Sequence, residues 1–315
     1  MTSPFSPEFK KPLFILNPVA GTSDADEISS AFMKACKRFD WQPQIYQTNE
    51  GDDLSPLIEA AVDEGCDVVM VSGGDGTVSE VASALVHYDL PLAIVPMGSG
   101  NILARQLKLP LHLEKTFAYL GDAPESVWLN AMHINDRYYV LNASVGFSSA
   151  LIQNTSREDK RRLGILAYFW TGLRVLIGFQ PYRFHLCLDD ENCYIRATEI
   201  FISDRALLEE NILLKLLKVE EKKGQLIVFS IKARTIWDYL FLLSDVLLGK
   251  VRRSHRMSIY QAGKRIQITS KNPAVTQADG EVIGKTPMTV EVFPHAVQVL
   301  VPNEAHRPKP LISVV

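Results

Sequence analysis

The apolar positions in the first third of the chain fall into short blocks that alternate between two periods. Residues 13–16, 68–71 and 92–95 are continuous apolar runs rich in branched side chains, and 44–47 is a shorter segment of similar kind. Such runs, bounded by turn residues, predict strands covered on both faces. Residues 25–39, 54–64 and 77–86 instead carry apolar side chains three and four apart, which predicts helices packed on a sheet. A further short helix is expected at 102–107. Strand and helix in alternation imply a parallel sheet, and ligands of such sheets gather beyond the carboxyl ends of the strands.

After about residue 127 the rhythm changes. Strands are expected at 131–133, 138–142, 182–188, 194–202, 226–231, 265–269, 288–293 and 296–301, with turns around 135–136 and 189–192. Helical spacing returns at 160–178 and 235–248, and 209–221 fits neither period. The pattern predicts an α/β domain at 1–128, a β-rich domain at 129–302 and a loose tail at 303–315.

Composition narrows the function classes. A length of 315 residues suits two domains, and a net charge of -3 gives no support for a nucleic-acid partner. Cys36, Cys66, Cys187 and Cys193 lack zinc-ligand spacing and are expected to be reduced thiols in a cytoplasmic protein. Residues 1–11 carry no apolar signal core. The most apolar stretch, 163–179, is interrupted by Arg174 and three glycines, so no membrane-spanning helix is expected. Lys160, Arg161 and Arg162 precede it; they suit an anionic lipid surface, although a solvated helix start is the favoured reading.

The candidate chemistry sits in the turns. Ser72, Gly73, Gly74, Asp75, Gly76 and Thr77 join a strand to a helix, which makes an anion cradle of glycine backbone and unpaired helix N–H groups. An acid there would repel a bare phosphate, but suits a phosphate-bound Mg²⁺ or a proton transfer. Asn17 and Gly21 follow the first strand, Thr48 ends the second, and Gly98, Ser99, Gly100 and Asn101 follow the fourth. Asn101 is expected either to cap the 102–107 helix or to bond a nucleotide. Each turn alone is ordinary; their shared edge is what singles them out. Far along the chain, Asp279 and Glu281 flank Gly280, a pairing suited to metal and proton handling, although Asp-Gly is also a common hairpin turn.

Other motifs fail on spacing. The run 280–286 has three residues between its glycines where a P-loop needs four, and a strand follows where a helix is required. No G-x-G-x-x-G fingerprint and no G-x-S-x-G elbow occur. His133 and His185 fall in expected strands and read as structural.

Taken together, these residues resemble the diacylglycerol kinase catalytic-domain family, which also contains sphingosine and ceramide kinases and the bacterial YegS-like lipid kinases. The resemblance runs from about Leu13 to Pro302. It is carried by Asn17-Pro18 with Gly21, by Gly73 to Thr77 with Glu80, by Pro96, Gly98, Ser99 and Asn101, by Arg162 to Tyr168, and by Asp279-Gly280-Glu281 with Gly284, Thr286 and Pro287. It implies a phosphofructokinase-like nucleotide-binding α/β domain with a parallel sheet, plus a β-sandwich-rich second domain. It also implies an ATP-dependent kinase of a lipid alcohol, diacylglycerol first, using ATP and Mg²⁺. By likeness, ATP falls to Asn17, Gly21, Thr48, Gly73, Gly74, Asp75, Gly76, Thr77, Glu80, Ser99, Asn101 and Asp279. Metal, through ATP-bound Mg²⁺, falls to Asp75 and Asp279. Glu281 matches the general base of bacterial members, whereas sphingosine kinases give that role to the acid matching Asp75; Glu281 is taken as the base and Asp75 as the metal-organising acid.

The expected setting is cytoplasmic, with transient peripheral contact at the membrane that presents the lipid; a homodimer stays open. Two departures stand out. Bacterial members usually carry an acid where Asn130 stands, and an Asp-Gly pair where this chain has Lys222, Lys223 and Gly224. A lysine is no ligand for a hard cation, so either metal arrives only with ATP or part of the machinery is missing. A non-catalytic nucleotide- or lipid-binding homologue, or a kinase of a soluble substrate such as NAD or a sugar phosphate, are the alternatives.

Overall fold

The computed structural model describes residues 3–4, 9–20, 25–98, 100–154, 181–208, 224–233, 235–248 and 255–307. By contacts the chain divides into two compact units, Met1–Leu129 with His295–Val315, and Asn130–Pro294. The second unit thus ends earlier than the expected 129–302, and the residues from His295 onward belong with the first.

In the first unit, Gln44–Gln47, Pro12–Leu16, Val68–Gly73 and Leu92–Pro96 lie side by side as parallel strands. The end of the last strand, Met288–Val301, joins them in parallel, pairing Val299 with Leu92. The three inner strands of the βα repeat are buried along their whole length, as continuous apolar runs require. Ala25–Phe39, Ser55–Asp63, Asp75–Ala84 and Leu113–Leu120 are the helices around them. Phe32 stacks on Phe14 at 4.0 Å and faces Trp41 and Phe117, which locks the first helix to its strand.

The second unit contains antiparallel strands in two layers. One layer holds Glu191–Ala197, Tyr182–Leu188, Arg265–Ser270 and the first part of Met288–Val301. The other runs Met257–Ala262, Leu226–Ile231, Glu199–Asp204, Asn142–Gly146, Val275–Ala278, Glu281–Lys285. Phe184, Leu186, Ile266 and Val290 from the first layer share one core with Val145, Ile200, Ile202 and Val228 from the second. This is the expected β-sandwich.

The expected single strand at 194–202 is two. Glu191–Ala197 belongs to one layer and Glu199–Asp204 to the other. Thr198 makes the corner, donating its N–H to Ile231 O at 2.8 Å and its hydroxyl to Ile231 O and Ala233 O at 3.0 and 2.8 Å. Conversely, the expected pair 288–293 and 296–301 is one strand that continues past Pro294 and His295. Leu113–Leu120, Asn142–Gly146 and Met257–Ala262 were not foreseen as elements. The expected helix at 160–178 and the 209–221 segment lie outside the described residues. Among the described residues no helix is long and apolar enough to cross a membrane.

One local device recurs. Asp189, in the left-handed region at φ 54°, takes the N–H groups of Gly263, Lys264 and Arg265 on its carboxylate at 3.0, 2.8 and 2.9 Å. Its own N–H returns to Arg265 O at 2.8 Å. Burial raises the Asp189 pKa, but the three amides and Lys264 together outweigh it and hold the carboxyl below its ordinary value. The stabilisation is therefore present above the ordinary carboxyl pKa and is lost as pH falls through the lowered one. Asp189→Ala should destabilise the fold by about 2 kcal/mol, read from urea unfolding at neutral pH. An unchanged midpoint would show that water replaces the carboxylate without loss.

Candidate functional site

The strand ends of the first unit bring the sequence-derived residues together. Asn17 extends the ladder by donating its N–H to Ser72 O at 2.8 Å, and its Nδ2 donates to Thr77 Oγ1 at 2.8 Å. Its Oδ1 accepts from Val19 N at 3.1 Å, which shapes the turn that follows. Thr48 is held by its N–H to Leu16 O at 2.9 Å. Gly73 ends its strand and Gly74 precedes the Asp75–Ala84 helix in extended conformation, with no side-chain cap. The first N–H groups of a helix have no intrahelical acceptor, so this start is open to an anion. Glu80 is exposed on the same helix. Gly21 and Ser99 lie outside the described residues.

Asp75 ties two of these turns together. Its Oδ1 accepts the N–H of Ile102 at 2.5 Å, at the start of Ile102–Gln106. Asn101, expected to cap that helix, does not: it sits in the left-handed region at φ 46° and makes no side-chain cap bond. The Asp75 carboxylate reaches the amide first because Gly100 leaves room; a Cβ at Gly100 would lie 2.3 Å from Asp75 Oδ2. Arg105 Nε donates to Gly100 O at 2.9 Å and fixes the turn from the other side.

In the second unit, Asp279 and Gly280 form the two-residue loop between Val275–Ala278 and Glu281–Lys285, both at positive φ (47° and 87°). This is the turn type that Asp-Gly favours. The Asp279 carboxylate accepts from Val140, Leu141 and Asn142 N at 3.1, 3.0 and 3.0 Å, and its N–H returns to Asn142 O at 2.9 Å. The arrangement repeats that of Asp189. Glu281 is exposed, with its carboxylate 3.9 Å from the Arg137 guanidinium. Among the described residues, no three His, Cys, Asp or Glu side chains are gathered as a metal site.

Residues 11–127 match the diacylglycerol kinase catalytic domain, and residues 142–301 match the YegS C-terminal NAD kinase beta sandwich-like domain. The chain belongs to the diacylglycerol kinase-like family. It is 26% identical over 298 residues to a provisionally named lipid kinase of Streptococcus pneumoniae serotype 4, covering 92% of this chain and 97% of that one. It is 28% identical over 264 residues to an uncharacterized protein of Synechocystis, covering 83% of this chain and 59% of that longer protein. In fold it is similar to a provisionally named diacylglycerol kinase from Bacillus anthracis, at TM-score 0.73 and 20% identity over 95% of this chain and 99% of that one. A diacylglycerol kinase from the same organism aligns at TM-score 0.68 and 16% identity with the same coverage.

Within this diacylglycerol kinase-like chain, sequence reasoning missed one buried group. Glu199 accepts the N–H of Ser148 at 2.8 Å and the Ser148 hydroxyl, at the start of the Phe147–Asn154 helix. Ser148 Oγ lies 2.7 Å from Ser144 Oγ, and Gln277 Nε2 donates to Ser144 Oγ and Asn142 Oδ1 at 2.9 and 2.8 Å. Gln277 Oε1 then accepts the N–H of Gly280 at 2.9 Å. A chain of hydrogen bonds thus connects a buried carboxyl to the loop that carries Glu281. The available signal was an acid at the head of the apolar run Ile200, Phe201, Ile202.

The second departure from the family pattern, Lys222 and Lys223, lies outside the described residues. The first does not: Asn130 is buried, and its N–H donates to the buried Asp204 carboxylate.

Burial pushes the Glu199 carboxyl up from 4.5 to about 7, against the opposing pull of the Ser148 bonds. Between those values the folded chain holds a proton that the unfolded chain has released. Its stabilisation is therefore complete below the ordinary pKa and is lost as pH rises through the folded one. Thermal unfolding across that window should show stability falling with pH in the natural chain and a flatter profile in Glu199→Gln. Identical slopes in the two proteins would exclude this titration.

Proposed function

We propose that this chain is an ATP-dependent lipid kinase that transfers the γ-phosphoryl group to a lipid hydroxyl, with diacylglycerol as the acceptor and phosphatidic acid as the product. The observation that carries the reading is the uncapped start of the Asp75–Ala84 helix, ringed by glycine turns and with Asp75 at its first position. A triphosphate needs closely approaching backbone N–H groups and a counter-charge. Residues 73–77 supply the first, with Asn17 and Thr48 beside them on the same strand ends.

The donor set suits Mg²⁺ only in one form. Asp75 offers one carboxylate, and no all-protein cage is present among the described residues. Mg²⁺ is commonly held by one or two carboxylates plus substrate phosphates, which fits this arrangement. When bound, the metal supplies charge neutralisation on the phosphates. Asp75, whose Oδ1 accepts the Ile102 N–H, would be the residue that holds it. Asp279, with three amides on its carboxylate, anchors the loop instead of serving as a ligand. Glu281 takes the proton of the attacking hydroxyl, and its exposed carboxylate is available for that role.

A second reading, nucleotide binding without turnover, draws on Asn130, which stands where bacterial relatives usually carry an acid. Radiolabel transfer from ATP to diacylglycerol in mixed micelles separates the two. The natural chain should label the lipid, and Glu281→Gln should lower kcat by about 100-fold or more with KM for ATP little changed. ATP binding with no labelled lipid would select the second reading. Full activity in Glu281→Gln would remove that residue from the mechanism.

A further inference from the structure

The Ile236–Leu247 helix of the second unit presents an apolar stripe to solvent. Trp237, Leu240 and Phe241 are 65%, 49% and 52% exposed, and Leu248 just beyond it is 64% exposed. Their spacing places all four on one face, whereas Leu242 is buried. Scattered exposed apolar residues are ordinary, but four on one helix face, Trp and Phe among them and Ser244 between Phe241 and Leu248, mark a contact surface.

The charges around the stripe indicate what it contacts. Beside the first turn of the helix lies an open cavity of about 640 Å³, lined by Tyr194, Ile195, Arg196, Lys232, Asp238 and His255. Asp238 is already engaged, by the Thr235 N–H and hydroxyl at 3.1 Å each and by Arg256 Nε at 3.5 Å. Arg256 also meets Asp245 at 3.4 Å and lies over the Phe241 ring at 5.0 Å. The two acids of the helix share this one arginine, which leaves one carboxylate charge over, and Arg196 and Lys232 of the cavity lining more than offset it, so the group as a whole is cationic. Tyr194, exposed and stacked on His185 at 4.5 Å, contributes an amphipathic ring of the kind that settles at headgroup level.

We propose that this face docks on an anionic phospholipid bilayer. Trp237, Leu240, Phe241 and Leu248 enter the acyl boundary, while Arg196 and Lys232 meet lipid phosphates. A second copy of the chain fits less well, because a self-complementary contact would bring the same cations together. The binding surface stands on its own geometry; its use in presenting a lipid hydroxyl rests on the kinase reading above.

The test is cosedimentation of the full chain with phosphatidylcholine vesicles, with and without phosphatidylglycerol. Binding should require the anionic lipid and weaken with salt. Replacing Leu240 and Phe241 together by Ser should lower binding about tenfold or more. Arg196→Gln with Lys232→Gln should lower it severalfold and reduce the salt dependence. Brominated lipid should quench part of the natural chain's fluorescence, and that part should be missing in Trp237→Phe. Thermal unfolding of each variant identifies any loss of fold, in which case the Arg196/Lys232 pair and the quenching decide. Equal binding to neutral vesicles, or undiminished binding by the Leu240/Phe241 variant, would overturn the proposal. So would a change in oligomeric state in place of vesicle binding. Transfer to diacylglycerol in detergent micelles, run in parallel, tests the kinase reading separately, since micelle turnover without vesicle binding sinks only the docking surface.

Discussion

Backbone N–H groups left over at turns and helix starts are the constraint around which this chain is built. A sheet satisfies its interior amides but not those where strands end and helices begin, and burying them unpaired is expensive. Here carboxylates meet them repeatedly. Asp67 takes Lys10 and Lys11 N, Asp75 takes Ile102 N, Asp189 takes residues 263–265, and Asp279 takes residues 140–142. Glu199 does the same for Ser148. The start of Asp75–Ala84 lacks a side-chain cap, as do those of Ser55–Asp63 and Leu113–Leu120; what sets it apart as a candidate binding surface is the glycine backbone before it and Asp75 at its first position.

That recurrence explains what the sequence could and could not disclose. The parallel strands and the glycine turns at their ends were legible because buried runs and glycines are local signals. The corner at Thr198 was not, because Tyr194 to Ile202 keeps its strand character while the chain changes layers. The acids were hardest. Asp75, Asp279 and Glu281 look alike as letters, yet Asp279 duplicates Asp189, which belongs to no candidate site. Only long-range contacts, across 139 residues for Asp279 and Val140, distinguish an anchor from a free carboxylate.

The same contacts set apart the two acids to which the proposed reaction gives different roles. Asp75 is fixed by one oxygen, so its charge is held in place next to the open helix start instead of sampling rotamers. A preorganised charge stabilises a developing one without reorganisation during reaction. Glu281 instead lies exposed with its carboxylate 3.9 Å from Arg137, a separation typical of a weak exposed pair. The proton transfer proposed for Glu281 is better served by that looser setting than by saturation with amides, which favours the charged form.

The hydrogen-bond chain behind the 279–280 loop has a direction that its ends impose. Gly280 N–H can only donate, so Gln277 must present Oε1 to it and turn Nε2 toward Ser144 and Asn142. At the far end an ionised Glu199 can only accept, so Ser148 must give its hydroxyl proton to Glu199. Ser148 Oγ is then left as an acceptor toward Ser144, whose oxygen in turn receives the Gln277 amide. While the carboxylate is charged, Ser148 and Gln277 each have one orientation, whereas the Ser144 hydroxyl has both Ser148 and Ser149 within reach, at 2.7 and 3.0 Å. Protonation gives Glu199 a donor of its own and removes that end condition, so Ser148 is free to reverse. The orientation of Gln277 survives, because the backbone amide at its other end does not titrate, and the loop that carries Glu281 keeps its hold on the sheet in either state.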